Sequence, residues 1–336
     1  MEFFEENSHD WDLVAEEINA ANCVYITCHI NPDGDAIGSE MALAGYLKNI
    51  GKSYRVINHS PTPDTFKYLD PDDSIELFSD ISATSAIPGS ADLIIMLDMG
   101  KFDRCGSCME YFKKSKARKV VIDHHPKEKI DADLVVVNTN AASTGSLVYA
   151  FLNHIDPSTV NSEIALAIMT ALVTDSGYFR YANTTSVTHR IAASLYEHGV
   201  SSLNIRRRLE TGYPFSRQKL MGLALSNLSS AAEGRISYTY ITLDMFDKAE
   251  AKREHTDGFI DQMRYINGTQ VAFLVVQEEE ERFKVSFRSG EHVAVNMVAS
   301  MLGGGGHPRA AGANLIGSLD DVIMRVLEAA ESYLND

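Results

Sequence analysis

A chain of 336 residues with 45% hydrophobic content is long enough for two domains of ~150 residues, each with its own core. Forty-six acidic against thirty basic side chains leave a net charge of −16, which repels phosphate backbones and argues against a protein that holds long nucleic acid. No run of ~18 apolar residues occurs, and the start "MEFFEENSHDWDL" is acidic where a secretory leader would be basic and then apolar; the expectation is a cytoplasmic protein that does not enter a membrane.

In chain order, "CVYITCH" reads as a strand and "AIGSEMALAGYLKNIG" as a helix closed by Gly51. "SYRVIN", "ADLIIMLDMG", "KVVIDHH" and "ADLVVVN" follow as strands. "STGSLVYAFLNHI" and "SEIALAIMTALVTD" then read as helices, each opened by a serine suited to capping, and "TSVTHRIAASLYEHG" as a third. Continuous apolar strands separated by helices predict an α/β domain over 1–200, with a mostly parallel, doubly wound sheet covered on both faces. Residues 201–230 read as a helical linker. From there "RISYTYITLDMF", "TQVAFLVVQEEEERFKVSFRS" and "GGGGHPRAAGANL", closed by the helix "SLDDVIMRVLEAAESYL", predict a smaller mixed α/β domain over 231–336.

Cys23, Cys28, Cys105 and Cys108 include one C-x-x-C pair. With no second pair at metal-ligand spacing, reduced and structurally incidental thiols are expected rather than a zinc site or a redox couple. "RRRLETGYPFSRQK", residues 206–219, is the one markedly basic stretch; it reads as a solvated helix face near a domain boundary in preference to a ligand site.

In open parallel sheets ligands gather beyond the carboxyl ends of the strands. Several strand and helix ends here finish in acids or imidazoles: His29, Asp33 and Asp35 in "HINPDGDAIGS", Asp98 in "LDMG", Asp123, His124 and His125 in "DHHP", and Asp175 in "TDSGYF". Asp and Gly in "NPDGD" would also suit a plain turn and helix cap, and a lone histidine is most often a hydrogen-bonded core residue. Recurrence at successive strand ends favours a site. Four carboxylates crowded into a dry crevice repel by several kcal/mol, about 4 per close pair, unless cations sit among them. Two divalent ions would nearly balance Asp33, Asp35, Asp98 and Asp175, and an oxygen-rich set with imidazole suits Mn²⁺ or Mg²⁺.

"HINPDGDAIGS", the aspartate of "LDMG", "DHHP" and "TDSGYF" resemble the successive motifs of the DHH phosphoesterase superfamily, and "SFRS" with "GGGGHPRAAG" resembles its associated C-terminal domain. The resemblance spans roughly residues 22 to 315, and within the superfamily it points to the NrnA-like group of oligoribonucleases and pAp phosphatases. It implies that His29, Asp33 and Asp98 hold one ion and that Asp35, Asp98, His124 and Asp175 hold the other, with Mn²⁺ first and Mg²⁺ or Co²⁺ also admitted. It implies that His125 faces the substrate phosphate or leaving group and that Asp123 supports the pair from behind. Arg104 is a further candidate phosphate contact, with a plain surface cation as its alternative. Arg288, Gly304, Gly305, Gly306 and His307 would take a terminal phosphate, the glycines by close backbone approach and Arg288 by a bidentate fork.

The expected activity is hydrolysis of short oligoribonucleotides and of 3′-phosphoadenosine 5′-phosphate (pAp), in a cleft between the halves. The alternatives are a cyclic-di-AMP or pApA phosphodiesterase, an inorganic pyrophosphatase or polyphosphatase, and a non-catalytic nucleotide or RNA-binding module. A RecJ-like exonuclease on long single strands would want a basic track that this chain lacks. Partners are therefore short RNA and nucleotides, with no long nucleic acid and no membrane; a homodimer stays open.

Overall fold

The computed structural model describes residues 4–83, 91–126, 130–210, 214–290 and 293–335. Residues 1–3 of the acidic start and 211–213 of the basic stretch lie outside these. The chain divides into two compact units, Met1–Gly212 and Tyr213–Asp336.

The first unit carries strands β1 (Cys23–Thr27), β2 (Ser53–Asn58), β3 (Ile75–Leu77), β4 (Leu93–Leu97), β5 (Arg118–Asp123) and β6 (Leu134–Val137). They form one sheet in the order β3-β2-β1-β4-β5-β6, with every neighbouring pair parallel. Helices α1 (Ser8–Ala20), α2 (Gly34–Asn49), α3 (Phe78–Ala83), α4 (Met109–Lys114), α5 (Thr144–Ile155), α6 (Ser162–Asp175), α7 (Ser186–Glu197) and α8 (Ser202–Glu210) complete it. Side chains alternate across the strands, as the pleat requires. Val24, Ile26, Leu93, Ile95, Leu97, Val120 and Ile122 join one buried cluster with α1, α2, α5 and α6, while Tyr25, Ile94, Met96 and Val121 join another with Phe112 of α4. Burial on both faces explains why these strands read as continuous apolar runs.

Two glycines let the helices that flank the site close on one another. A Cβ on Gly38 of α2 would stand 2.5 Å from the Ala167 carbonyl oxygen of α6, and one on Gly145 of α5 would stand 2.4 Å from Ala171 Cβ. α6 opens differently from the serine cap expected. Asn161 is the cap, its side chain accepting from the Ile164 N–H at 2.9 Å, and Ser162 is the first helical residue. The Ser143 cap on α5 forms as read. Helix α1 and the short edge strand β3 are additions to the sequence reading.

The second unit holds α9 (Phe215–Ser226), β7 (Ser229–Ala231), β8 (Ile236–Ile241), α10 (Leu243–Ala249), α11 (Phe259–Arg264), β9 (Val271–Glu279), β10 (Arg282–Ser289), α12 (Val295–Met301), β11 (Gly305–His307), β12 (Ala310–Ile316) and α13 (Leu319–Asn335). Its sheet runs β11-β12-β10-β9-β8-β7 and is mixed: β8 and β9 are parallel, and the other pairs antiparallel. Phe273, Phe287, Val298 and Val326 share one core, and Leu220, Phe246, Phe259 and Leu274 share the other.

The described residues of 201–230, expected as a helical linker, are mostly helical and divide between the two units. Ile205 and Leu209 of α8 join the first unit's core, whereas Leu220 and Ala224 of α9 join the second unit's. Each helix has an apolar stripe, and burying it on the adjacent unit is more favourable than leaving it in solvent. Part of the glycine run is held in a strand. Gly305–His307 is a strand paired with β12, and a Cβ on Gly304 would lie 2.1 Å from the Gly312 carbonyl oxygen. Strand-to-strand approach therefore accounts for Gly304.

Candidate metal centre

The strand order reverses between β1 and β4, and that is where a parallel sheet opens a crevice beyond its carboxyl ends. β1 delivers His29, β4 delivers Asp98, and β5 ends on Asp123 ahead of His124 and His125. Two helices close the ring: α2 starts with Asp33 and Asp35, and α6 ends with Asp175.

Three donor groups result, each with its ligand atoms within 4.8 Å of one another: His29–Asp33–Asp98, Asp35–His124–Asp175, and Asp98–His124–His125. His29 Nε2 lies 3.3 Å from Asp98 Oδ2 and 4.0 Å from Asp33 Oδ1. His124 Nε2 stands 3.6 Å from an oxygen of each of Asp35, Asp98 and Asp175. That nitrogen is buried and has no hydrogen-bond partner among the described residues. Donors around one small cation with bonds of about 2.1 Å sit roughly 3 Å apart, so a nitrogen facing three carboxylates slightly beyond hydrogen-bond range fits a shared divalent ion.

Backbone geometry marks the same place. Asp98 has φ 56°, the left-handed region that a side-chain-bearing residue seldom adopts, and Asn31 beside His29 has φ 53°. Asp33 serves both readings of "NPDGD": its Oδ1 accepts from the N–H groups of Asp35 (3.0 Å) and Ala36 (3.1 Å), capping α2, while it stays within the His29 group.

Charge crowding shows in the titration of the carboxyls. Burial, with the charges of Asp98, Asp175 and Asp33, holds Asp35 well above its ordinary range. Burial likewise pushes Asp175 up to about 6 against the lowering effect of His124. Burial also works to raise Asp98, but hydrogen bonds from His125 and His29 and the charge of His124 outweigh it and leave that carboxyl far below normal. Hydrogen bonds to Asp123 and Asp98 raise His125 to about 10. Carboxylates and imidazoles this close compete for shared positive charge.

Asp123 Oδ1 accepts from the His125 N–H at 3.1 Å and meets its Nδ1 at 2.9 Å, so it orients His125 and not His124. His124 Nδ1 is 3.4 Å from the Ala141 carbonyl oxygen. Arg104 lies in the helical turn Phe102–Cys108, whose Arg104 carbonyl accepts the Ile30 N–H at 2.7 Å, next to His29. Arg288 and His307 belong to the second unit. Each pairs with Ala310, on β10 and β11 respectively, which puts them on one face of that sheet with Ala310 between. Arg288, Lys284, Ser286 and Arg253 line a cavity there of about 390 Å³.

Sequence reasoning missed the groups that hold Asp35. Its oxygens accept from the N–H of Thr144 (2.7 Å) and Gly145 (2.9 Å) at the start of α5 and from Ser39 Oγ (3.2 Å), and Thr144 Oγ1 donates to Asp98 Oδ1 at 3.1 Å. The positive end of α5 thus points at the carboxylate cluster. "STGS" signalled a helix start, but not what that start would face. Asn183 Nδ2 braces Asp175 through its carbonyl (3.1 Å) and Oδ2 (3.4 Å). The C-x-x-C thiols join none of the three donor groups, and burial pushes Cys105 and Cys108 up to about 12, which disfavours their thiolate forms.

A doubly wound unit with carboxylates and imidazoles at its switch point, followed by a mixed-sheet unit, is a definite class of α/β protein. The chain belongs to the DHH family: that family's N-terminal domain matches residues 23–172, and the DHHA1 domain matches 235–336. It is 34% identical over 330 residues to the bifunctional oligoribonuclease and PAP phosphatase NrnA of Thermus thermophilus, covering 96% of this chain and 94% of that one. The protein of the same name from Bacillus subtilis is 28% identical, covering 89% and 91%. The crystal structure of an exopolyphosphatase-related protein from Bacteroides fragilis superposes with a TM-score of 0.91 at 26% identity, covering 97% of this chain and 96% of that one.

Proposed function

We propose that this protein is a metal-dependent phosphoesterase that hydrolyses short oligoribonucleotides to mononucleotides and removes a phosphate from pAp. The observation that carries this is the convergence of seven donor side chains from four separate segments, with Asp98 and His124 each common to two of the three donor groups. Two relatives described as bifunctional oligoribonuclease and PAP phosphatase, similar over nearly the whole chain, support the substrate class.

His29, Asp33 and Asp98 would hold one divalent ion, and Asp35, Asp98, His124 and Asp175 the other. The oxygen-rich, thiolate-free set favours Mn²⁺, with Mg²⁺ or Co²⁺ able to substitute. Ions bound there would offset charge on the phosphoryl oxygens and lower the pKa of an attacking water. Thr144 and Gly145 fix Asp35 by main-chain donors, and Asn183 fixes Asp175. With Nδ1 engaged by Asp123, His125 presents Nε2 to the substrate phosphate or leaving group. Arg104 is assigned to a phosphate oxygen, and Arg288 and His307 to a terminal phosphate. Four free thiols, three of them buried, fit a reducing cytoplasm.

Purified protein with Mn²⁺ should show the highest kcat/KM on a diribonucleotide, a pentaribonucleotide, pApA and pAp, and little on pyrophosphate. Hydrolysis of pyrophosphate alone would overturn the substrate assignment.

A further inference from the structure

The three arginines that open the basic stretch stay with the first unit. In α8, Ile205 and Leu209 are buried. Arg206 and Arg208 flank that stripe on opposite sides, about 100° and 300° around the helix from Ile205. The Arg206 guanidinium carbon lies 5.7 Å from the ring centroid of Tyr178, and that of Arg180 lies 5.7 Å from the same ring. Arg208 lies 4.9 Å from the ring of Tyr68. All three arginines are exposed.

Both rings belong to segments that adjoin α6, the helix that ends on Asp175. Tyr178 is three residues past Asp175, in a turn folded back on α6 by its N–H to the Val173 carbonyl (2.8 Å) and closed on itself by Arg180 Nε donating to the Gly177 carbonyl (2.7 Å). Gly177, Tyr178 and Phe179 have φ of 55°, 59° and 62°. Two side-chain-bearing residues in succession there cost roughly 1–2 kcal/mol each, and such strain concentrates at functional sites. Tyr68 Oη bonds Thr170 Oγ1 at 2.8 Å, one and a half turns before Asp175. The same turn, Asp64–Leu69, puts Phe66 against Gly34, next to Asp33.

Stacking a guanidinium on a ring occupies its flat face and holds its charge at the surface, where it attracts phosphate. On a chain of net charge −16, gathering three such groups at the rim of the metal centre makes sense opposite an anion. We propose that Arg180 and Arg206 over Tyr178, with Arg208 over Tyr68, form a backbone-phosphate site for the nucleotides beyond the scissile bond. This site holds oligonucleotides of several residues and is out of reach of a single nucleotide. It rests on the oligoribonuclease reading and extends it with a determinant of substrate length.

The test compares the parent with Arg206→Gln/Arg208→Gln and with the charge-conserving Arg206→Lys/Arg208→Lys. Binding of a fluorescent pentaribonucleotide in Ca²⁺ is read by anisotropy between about 50 and 200 mM salt, beside kcat/KM for pAp in Mn²⁺. The glutamine pair should bind the pentanucleotide about tenfold more weakly, with a log–log salt slope shallower by about 1.4, or about 0.7 per lost contact. Its pAp turnover and melting temperature should match the parent's, and the lysine pair should keep most of the affinity. Unchanged pentanucleotide binding in the glutamine pair, or an equal loss on pAp, would overturn the inference. A parent that binds the pentanucleotide without cleaving it would instead sink the oligoribonuclease reading alone.

Discussion

Asp98 concentrates the demands made on single residues. It is 2% exposed, left-handed in φ, and within 3.6 Å of His29, His124, His125 and Thr144. No other side chain is short and acidic enough to reach both donor groups from that backbone position. Asp98→Ala should therefore abolish high-affinity Mn²⁺ binding by calorimetry and lower kcat/KM by about 10³-fold or more, as loss of a shared ligand implies. Near-parental turnover in that variant would refute the two-ion arrangement. Glu40 is a different kind of buried acid. Fully buried behind β1, it accepts from Asn58 Nδ2 at 2.8 Å, and Asn58 Oδ1 accepts the Cys28 N–H at 3.2 Å, next to His29. Burial pushes Glu40 up to about 7 despite that Asn58 bond. A raised carboxyl pKa stabilises the fold through its proton at low pH, and the contribution fades as pH climbs from about 4.5 through 7. Glu40→Gln should match the parent in urea unfolding at pH 4.5 and exceed it at pH 8, by at most about 3 kcal/mol. A constant offset across that window would mean that Glu40 ionises as readily folded as unfolded.

At the scale of elements, the site depends on how closely three helices approach. α2 brings Asp35, α6 brings Asp175, and α5 aims its N-terminus between them. The approach rests on Gly38 and Gly145, where an added Cβ would strike backbone or a neighbouring Cβ. Gly38→Ala should cost about 1–3 kcal/mol of stability by overpacking and, by spreading α2 from α6, should also weaken Mn²⁺ binding. Gly222 in α9 makes a fair control, because a Cβ there meets nothing within 4 Å. Gly222→Ala should leave metal binding untouched and stabilise the chain by up to about 1 kcal/mol, since alanine is the better helix former. Equal effects of the two substitutions on thermal melting would show that helix spacing does not govern the site.

On the scale of the whole molecule, the six proposed ligands all belong to the first unit, which also has two buried clusters of its own. Mn²⁺ should therefore raise the melting temperature of this unit's transition, with about 2.7 kcal/mol of stabilisation expected at a hundred times the dissociation constant, and EDTA should reverse it. A melting profile indifferent to Mn²⁺ and EDTA would count against a resident divalent ion. The net charge of −16 sets the wider electrostatic context: repulsion of long polyanions everywhere except where cations, bound or built in, are gathered.

All strands of the first sheet but the short β3 were legible because burial leaves a continuous apolar run, and the runs of β1, β4 and β5 lead into the acids and imidazoles of the site. Ser143 was legible as a cap, whereas the cap of α6 fell to Asn161, because both asparagine and serine suit that position and only the geometry of the preceding turn chooses between them. The division of 201–230 between two cores was not legible, since an apolar stripe does not say which surface will cover it. Nor were Thr144, Asn183 and the arginine-capped tyrosines, which matter only through partners distant in sequence.

By itself, the order of residues determined which side chains could hold an ion, because hydrophobic periodicity places them at the ends of strands and helices. Only the tertiary structure decided which of them stand within a ligand's reach of one another, which backbone N–H groups steady them and where positive charge collects beside them. Those relations are distances between segments up to a hundred and more residues apart, set by strand order and helix spacing that no local pattern encodes.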